Sequence, residues 1–226
     1  MKEMTEERPK CLAELAGTAL LDLQINALKS AGVAEISIVT GYRRELLASR
    51  GLIEFHNARW SETNMVSSLA SAEDWLADDT CIVSYSDIFY DLSAVRSLLT
   101  ISADIALTYD PNWLVLWQQR FEDPLVDAET FKMDQDHALV EIGNKPNSVS
   151  EVQGQYMGLL KFTPTGWSEV KRIRALLTPS ERDAMHMTGT LQRVIEAGRL
   201  KIHAVPYENR WGEVDTAEDL AVYQNG

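Results

Sequence analysis

Segments with apolar residues at helical spacing alternate with short apolar runs along almost the whole chain. Leu20, Leu21, Ile25 and Leu28 mark one helical face that stops at Gly32, and Glu35–Gly41 then reads as a short buried strand. The same reading predicts a helix near Arg43–Ala48, a strand near Leu52–Phe55, a helix near Met65–Leu76 and the strand Cys81–Ser84. A helix near Leu92–Leu99 and the strand Ile105–Tyr109 follow. Such alternation builds parallel βαβ units. The expected fold class is therefore α/β, a doubly wound mixed, mostly parallel sheet with helices on both faces.

The middle of the chain changes character. Asp127–Val140 reads as extended pieces joined by the polar turn Asp134-Gln135-Asp136, which predicts a small antiparallel insertion. Gly158–Phe162 returns as a strand. Helices are expected near Trp167–Leu176 and Thr190–Ala197, then a strand at Ile202–Val205 and a last helix near Ala217–Tyr223. No repeat or Gly/Ser/Pro-rich linker interrupts this, so one domain over residues 1–226 is expected.

Composition removes several function classes. A net charge of −13 argues against a nucleic-acid partner, because phosphate backbones select basic surfaces. Cys11 and Cys81 are too few for a disulfide framework or a zinc site. The start, MKEMTEERPK, has no apolar run, and no stretch approaches the ~20 residues that span a bilayer. A cytoplasmic protein with no membrane partner is the expectation. The four histidines are scattered and match no metal spacing.

Two aspartates stand out. Asp87 follows the strand Cys81–Ser84 in TCIVSYSDIFYD, and Asp215 follows a short apolar piece in WGEVDTAEDL. In open α/β sheets ligands bind beyond the carboxyl ends of the strands. Each aspartate is equally suited to capping a helix, and Thr216 with Asp219 fits a capping box. Near the start, Arg8 and Lys10 flank Pro9, which stiffens the turn and suits a lysine held as a point charge for phosphate. A solvated surface lysine is the plainer alternative.

These segments resemble a known family. RPKCLAELAGTALLDLQINALKSAGV is similar to the segment downstream of the glycine-rich loop in nucleotidyltransferases of the sugar-phosphate and phosphocholine class. SYSDIFYD resembles their first metal-aspartate motif and WGEVDTAEDL their second. EIGNKPNSVSEVQGQYMGLLKFTPTGW and MTGTLQRVIEAG resemble the phosphocholine-type cytidylyltransferase branch, including relatives linked to phosphonate metabolism.

The resemblance implies a Mg²⁺-dependent transfer of CMP from CTP to an acceptor phosphate or phosphonate, with pyrophosphate leaving. Asp87 and Asp215 would hold the metal, which suits a hard cation that takes carboxylate and phosphate oxygens. Lys10, with Arg8, would face the nucleotide phosphates, and Lys145 the acceptor phosphate. Asn64 and Ser67 would read the pyrimidine edge, although Asn64 is also placed to cap the next helix. Asp110, Trp113, Glu129, Tyr156 and Gly158 would line the acceptor site, with cation–π attraction for a choline-like ammonium. The competing reading of Trp113 and Trp117 is an apolar helix face packed in the core.

The chain departs from that pattern in lacking the leading apolar strand and a G-x-G-x-R loop, which would leave ladder groups unpaired. An early truncation, a misplaced start or a strand from a partner would each account for this. Weak or no turnover with CTP and phosphocholine is the corresponding expectation. The alternatives are a sugar-1-phosphate nucleotidyltransferase using another NTP, a glycosyltransferase (its D-x-D is absent), and a non-catalytic nucleotide-binding module. A homo-oligomer is compatible with all of them.

Overall fold

A computed structural model describes residues 8–224, so MKEMTEE of the start lies outside the described residues. The central sheet has four strands in the order β5 (Cys81–Ser84), β10 (Gln155–Phe162), β7 (Ile105–Asp110) and β11 (Ile202–Pro206). β10 is antiparallel to both its neighbours, and β7 and β11 are parallel. Three of the four strands therefore run the same way, and β5, β7 and β11 bring their carboxyl ends to one rim. The fold class is the expected mixed α/β sheet flanked by helices.

Smaller pairs complete the frame. β1 (Glu14–Leu15) and β2 (Thr18–Ala19) form a hairpin, and β3 (Ser37–Thr40) pairs in parallel with β4 (Ile53–His56). β6 (Ile88–Phe89) pairs with β12 (Gly212–Glu213), and β8 (Phe131–Met133) with β9 (Leu139–Ile142), the predicted antiparallel insertion. Its turn is held by Asp134, whose carboxylate accepts from the N–H groups of Asp136 and Ala138. Among the described residues β5 has β10 as its one ladder neighbour, and β3 has β4.

The helices cover both sides of this frame. α1 (Leu20–Ala31) buries Leu20, Leu21, Gln24, Ala27 and Leu28 and stops at Gly32, whose φ of +96° gives the left-handed cap. α4 (Leu92–Thr100) is capped by Asp91, which accepts from Ser93 N at 2.7 Å. α5 (Trp113–Arg120), α6 (Pro164–Ala175), α7 (Pro179–Asp183), α8 (Met187–Ala197) and α9 (Ala217–Gln224) follow. The core centres on fully buried Trp117, Trp167, Phe131, Phe162, Ile105 and Leu107. Among the described residues no helix is long and apolar enough to cross a membrane.

Two predicted helices differ. Arg43–Ala48 forms only short 3₁₀ turns at Arg44–Leu46 and Ala48–Arg50, and Arg43, with a left-handed φ of +51°, stands outside them as the cap of the first. Met65–Leu76 is divided into α2 (Met65–Leu69) and α3 (Glu73–Asp78) by a 3₁₀ turn at Ala70–Ala72.

Candidate active site

The rim where the parallel strands end carries an acidic cluster. One carboxylate oxygen each of Asp87, Glu213 and Asp215 lies within 4.8 Å of the others. Residues remote in sequence are joined by local backbone ties. Asp87 sits in the turn between β5 and β6, and its carbonyl accepts from Val214 N at 2.8 Å. Gln24, buried on α1, donates its amide to Tyr85 O (2.8 Å) and Ile88 O (2.6 Å), clamping that turn from below. β12 then supplies Glu213, and Asp215 follows two residues on, just past the end of the strand. Side chains alternate along an extended chain, so Glu213 and Asp215 share one side while Val214 between them enters the core.

Neither aspartate is a helix cap. Thr216 and Asp219 exchange bonds at the start of α9: Asp219 N donates to Thr216 Oγ1 at 3.2 Å, and Thr216 N to Asp219 Oδ2 at 2.9 Å. This predicted capping box does not use the Asp215 carboxylate. Asp91, not Asp87, caps α4.

Two cations balance the acids. Lys10 Nζ donates to Asp215 Oδ1 at 2.6 Å and to Asp87 Oδ2 at 3.1 Å. Burial works against its charge, but the bonds and charges of Asp215 and Asp87 outweigh this and raise its pKa. Arg120, its side chain 1% exposed, approaches from α5 on the inner side. Its Nε donates to Asp219 Oδ1 at 2.8 Å, while Nη2 and Nη1 lie 3.5 Å from Asp215 and 3.6 Å from Glu213. Burial, then the charges of Asp215 and Asp87, push Glu213 up to about 7, with Arg120 opposing. Lys10 and Arg120 together offset part of the charge of three acids crowded this closely.

The donor set fits a hard divalent ion. It is all carboxylate, with no histidine or cysteine, which suits Mg²⁺ or Mn²⁺ rather than zinc.

Comparison with known proteins shows the family. Residues 2–134 match the model of the MobA-like NTP transferase domain. The chain belongs to that family. This NTP transferase is a nucleotidyltransferase enzyme, a class that generally uses a divalent metal. It is 35% identical over 238 residues to a CTP:phosphoglutamine cytidylyltransferase of Campylobacter jejuni, covering 97% of this chain and 92% of the relative. It is 25% identical to a 2-aminoethylphosphonate cytidylyltransferase of Lancefieldella rimae, covering 100% of this chain and 87% of that one. Its fold resembles the inositol-1-phosphate CTP transferase of T. maritima, with a TM-score of 0.76, 18% identity and coverage of 99% and 88%.

The remaining candidates of the NTP transferase divide sharply. Tyr156 and Glu129 lie near the rim. Tyr156 packs edge-on against Tyr85, with ring centroids 5.7 Å apart, and its buried hydroxyl has no hydrogen-bond partner among the described residues. Burial, followed by the neighbouring Tyr85 and the charges of Glu129 and Glu213, drives its pKa well up. Glu129 accepts from Thr188 Oγ1 at 3.4 Å, and burial raises its pKa. Gly158 has a φ of +82°, and its carbonyl accepts from Tyr85 N at 2.9 Å. A Cβ there would meet the Tyr85 ring at 2.8 Å, so glycine is what lets Tyr85 sit against β10.

Asp110 and Trp113 need correction. Asp110 is buried, accepting Trp211 Nε1 at 2.9 Å and Asn112 N at 2.7 Å. Trp113 is 3% exposed and donates its indole N–H to Val152 O. Trp117 is fully buried and stacks on Trp211. The apolar-face reading holds, and no open aromatic box exists at these residues. Lys145 also falls elsewhere. Its ammonium donates to the carbonyls of Leu125 and Val126, and no hydrogen bond or ion pair links it to the three acids.

The base-reading candidates have other partners as well. Asn64 caps α2 through Met65 N at 2.7 Å and also meets His186 Nδ1 at 3.0 Å. The Ser67 hydroxyl donates to Arg182 O and accepts from Arg174 Nη2, both at 3.3 Å. Arg8 is exposed, with no hydrogen bond to the acids among the described residues. Glu213, Arg120 and Gln24 are the residues that sequence reasoning missed. The alternation placing Glu213 beside Asp215 was a usable signal for the first.

Proposed function

We propose that this NTP transferase is a Mg²⁺-dependent cytidylyltransferase that moves CMP from CTP to the phosphate or phosphonate of a small nitrogen-bearing acceptor. The convergence of Asp87, Glu213 and Asp215 around Lys10 is the observation that carries this reading. The acceptor class is suggested by the relatives, which act on phosphoglutamine and 2-aminoethylphosphonate.

The three carboxylates would hold Mg²⁺. Bound there, the ion would offset phosphate charge and favour in-line attack on the α-phosphorus. Lys10 is held by the same acids, and on nucleotide binding it would turn its ammonium to the triphosphate as a point charge. Arg120 stays behind the cluster, holding Asp215 and Asp219 in place. Glu129, beside Tyr85 and Tyr156, would give the acceptor side an acidic neighbour that suits an amine. No covalent intermediate is required. Positioning and charge stabilisation do the catalysis.

The test is pyrophosphate release from the purified protein with Mg²⁺, the four NTPs in turn, and phosphocholine, 2-aminoethylphosphonate or glucose-1-phosphate as acceptor. CTP with a nitrogen-bearing acceptor should be the productive pair. Preference for UTP with glucose-1-phosphate would replace this reading with the sugar-1-phosphate one. Nucleotide binding without release under any pairing would favour a binding module.

A further inference from the structure

Away from the acidic rim, the C-terminal halves of α6 and α8 line an open, solvent-facing groove with a volume of about 420 Å³. That volume lies within the range of small-molecule sites. Arg172, Arg193 and Arg199 all line it, on a chain whose net charge is −13. Two of them are pre-set by one buried carboxylate. Glu169 accepts from Arg172 Nη2 at 2.6 Å and Nε at 2.9 Å, and from Arg199 Nε at 3.2 Å. A single carboxylate shared by two guanidinium groups fixes their orientation and leaves positive charge over.

Arg193 is different. It makes no hydrogen bond or ion pair among the described residues, and it contributes only a distant charge to Glu181. Glu196 also lines the groove, but its Oε1 accepts from Gln192 Nε2 at 3.0 Å, so that acid is already partly engaged. The remaining wall is apolar. Ile173 and Leu177 form its base, and Leu176 stands 74% exposed at its lip. A leucine left this far in water beside three guanidinium groups gives the groove both a charged end and an apolar end.

We infer that this groove is a second binding site, separate from the acidic rim, for a phosphorylated organic anion with an apolar body. The phosphate would sit on Arg193 and the free N–H groups of Arg172 and Arg199. The apolar part would lie on Leu176 and Leu177. A phosphate monoester offers three acceptor oxygens and close to two charges, which matches donors arriving from two helices and the loop after α8 better than a carboxylate does.

The probe is phenyl phosphate, titrated into the full chain and followed by methyl NMR at Ile173, Leu176 and Leu177. Saturable shifts at these methyls are expected, weakened about tenfold by Arg193→Ala, the loss of one charge-assisted contact. Arg193→Ala has no partner to lose, so it should keep its melting temperature. Asp215→Asn should leave the shifts unchanged, which separates this groove from the metal rim. Benzoate should bind more weakly and benzyl alcohol not measurably. Equal binding by wild type and Arg193→Ala would overturn the inference, as would shifts confined to the acidic rim. Benzoate binding as tightly as phenyl phosphate would overturn the phosphate assignment.

Discussion

Asp87 and Asp110 both stand at the carboxyl end of a strand on the same rim, yet they serve opposite purposes. Asp110 is the last residue of β7, which has strands on both sides. It is enclosed, and Trp211 and Asn112 use its oxygens. Asp87 lies beyond its strand, in a turn held at the backbone by Gln24 and Val214. Its side chain meets only a mobile kind of partner, the ammonium of Lys10. A strand end nominates a carboxylate for ion binding, and the donors already around it decide whether it remains available. A backbone or indole N–H of the fold commits the acid to structure. A lysine on a flexible stem can give way to a metal.

Substitutions at the two positions should therefore separate cleanly. Asp87→Asn and Asp215→Asn should each lower kcat on the order of a thousandfold, as removal of transition-state charge stabilisation does. Circular dichroism melts should show no comparable loss, because relief of repulsion among the three acids offsets the lost Lys10 bonds. Asp110→Asn should leave kcat unchanged.

Trp117 carries the opposite test. Trp117→Ala empties a fully buried site against Trp211 and should cost about 3–5 kcal/mol in urea unfolding. At a temperature where that variant stays folded, KM for the acceptor should match wild type, since the indole touches core and not substrate. A large rise in KM with little loss of stability would restore Trp117 to the acceptor site.

Much of this contrast was legible before the structure. Asp87 and Asp215 follow apolar strand-like pieces, and their motifs resemble those of the family. Glu213 was legible in principle, since it stands two residues before Asp215 on an extended segment. Arg120 was not, because its partners lie 99 residues away at Asp219 and, close to it, at Glu213 and Asp215. Trp113 and Lys145 show the limit from the other side. Residue type and local spacing suited a ligand, but long-range packing against Val152 and the carbonyls of Leu125 and Val126 absorbed both. At Arg43–Ala48 the left-handed backbone of Arg43 and the split into two 3₁₀ turns are features that apolar periodicity does not report.

Smaller effects sharpen the role of the turn. Gln24→Leu leaves the carbonyls of Tyr85 and Ile88 without their donor, at a cost of about 1–3 kcal/mol. Because that turn presents Asp87, the same variant should need more Mg²⁺ for half-maximal activity, a shift that a purely structural glutamine would not cause. Thr216→Ala removes one half of the capping box and should cost about 1 kcal/mol, leaving Mg²⁺ dependence almost unchanged.

Titration of Mn²⁺ into the protein, read by electron paramagnetic resonance of the free ion, tests the shared acidic site most directly. One saturable ion should bind per chain, and Asp87→Asn and Asp215→Asn should each abolish it while Asp110→Asn does not. Undiminished Mn²⁺ binding in both rim variants would contradict the assignment of Asp87, Glu213 and Asp215 to a single cation.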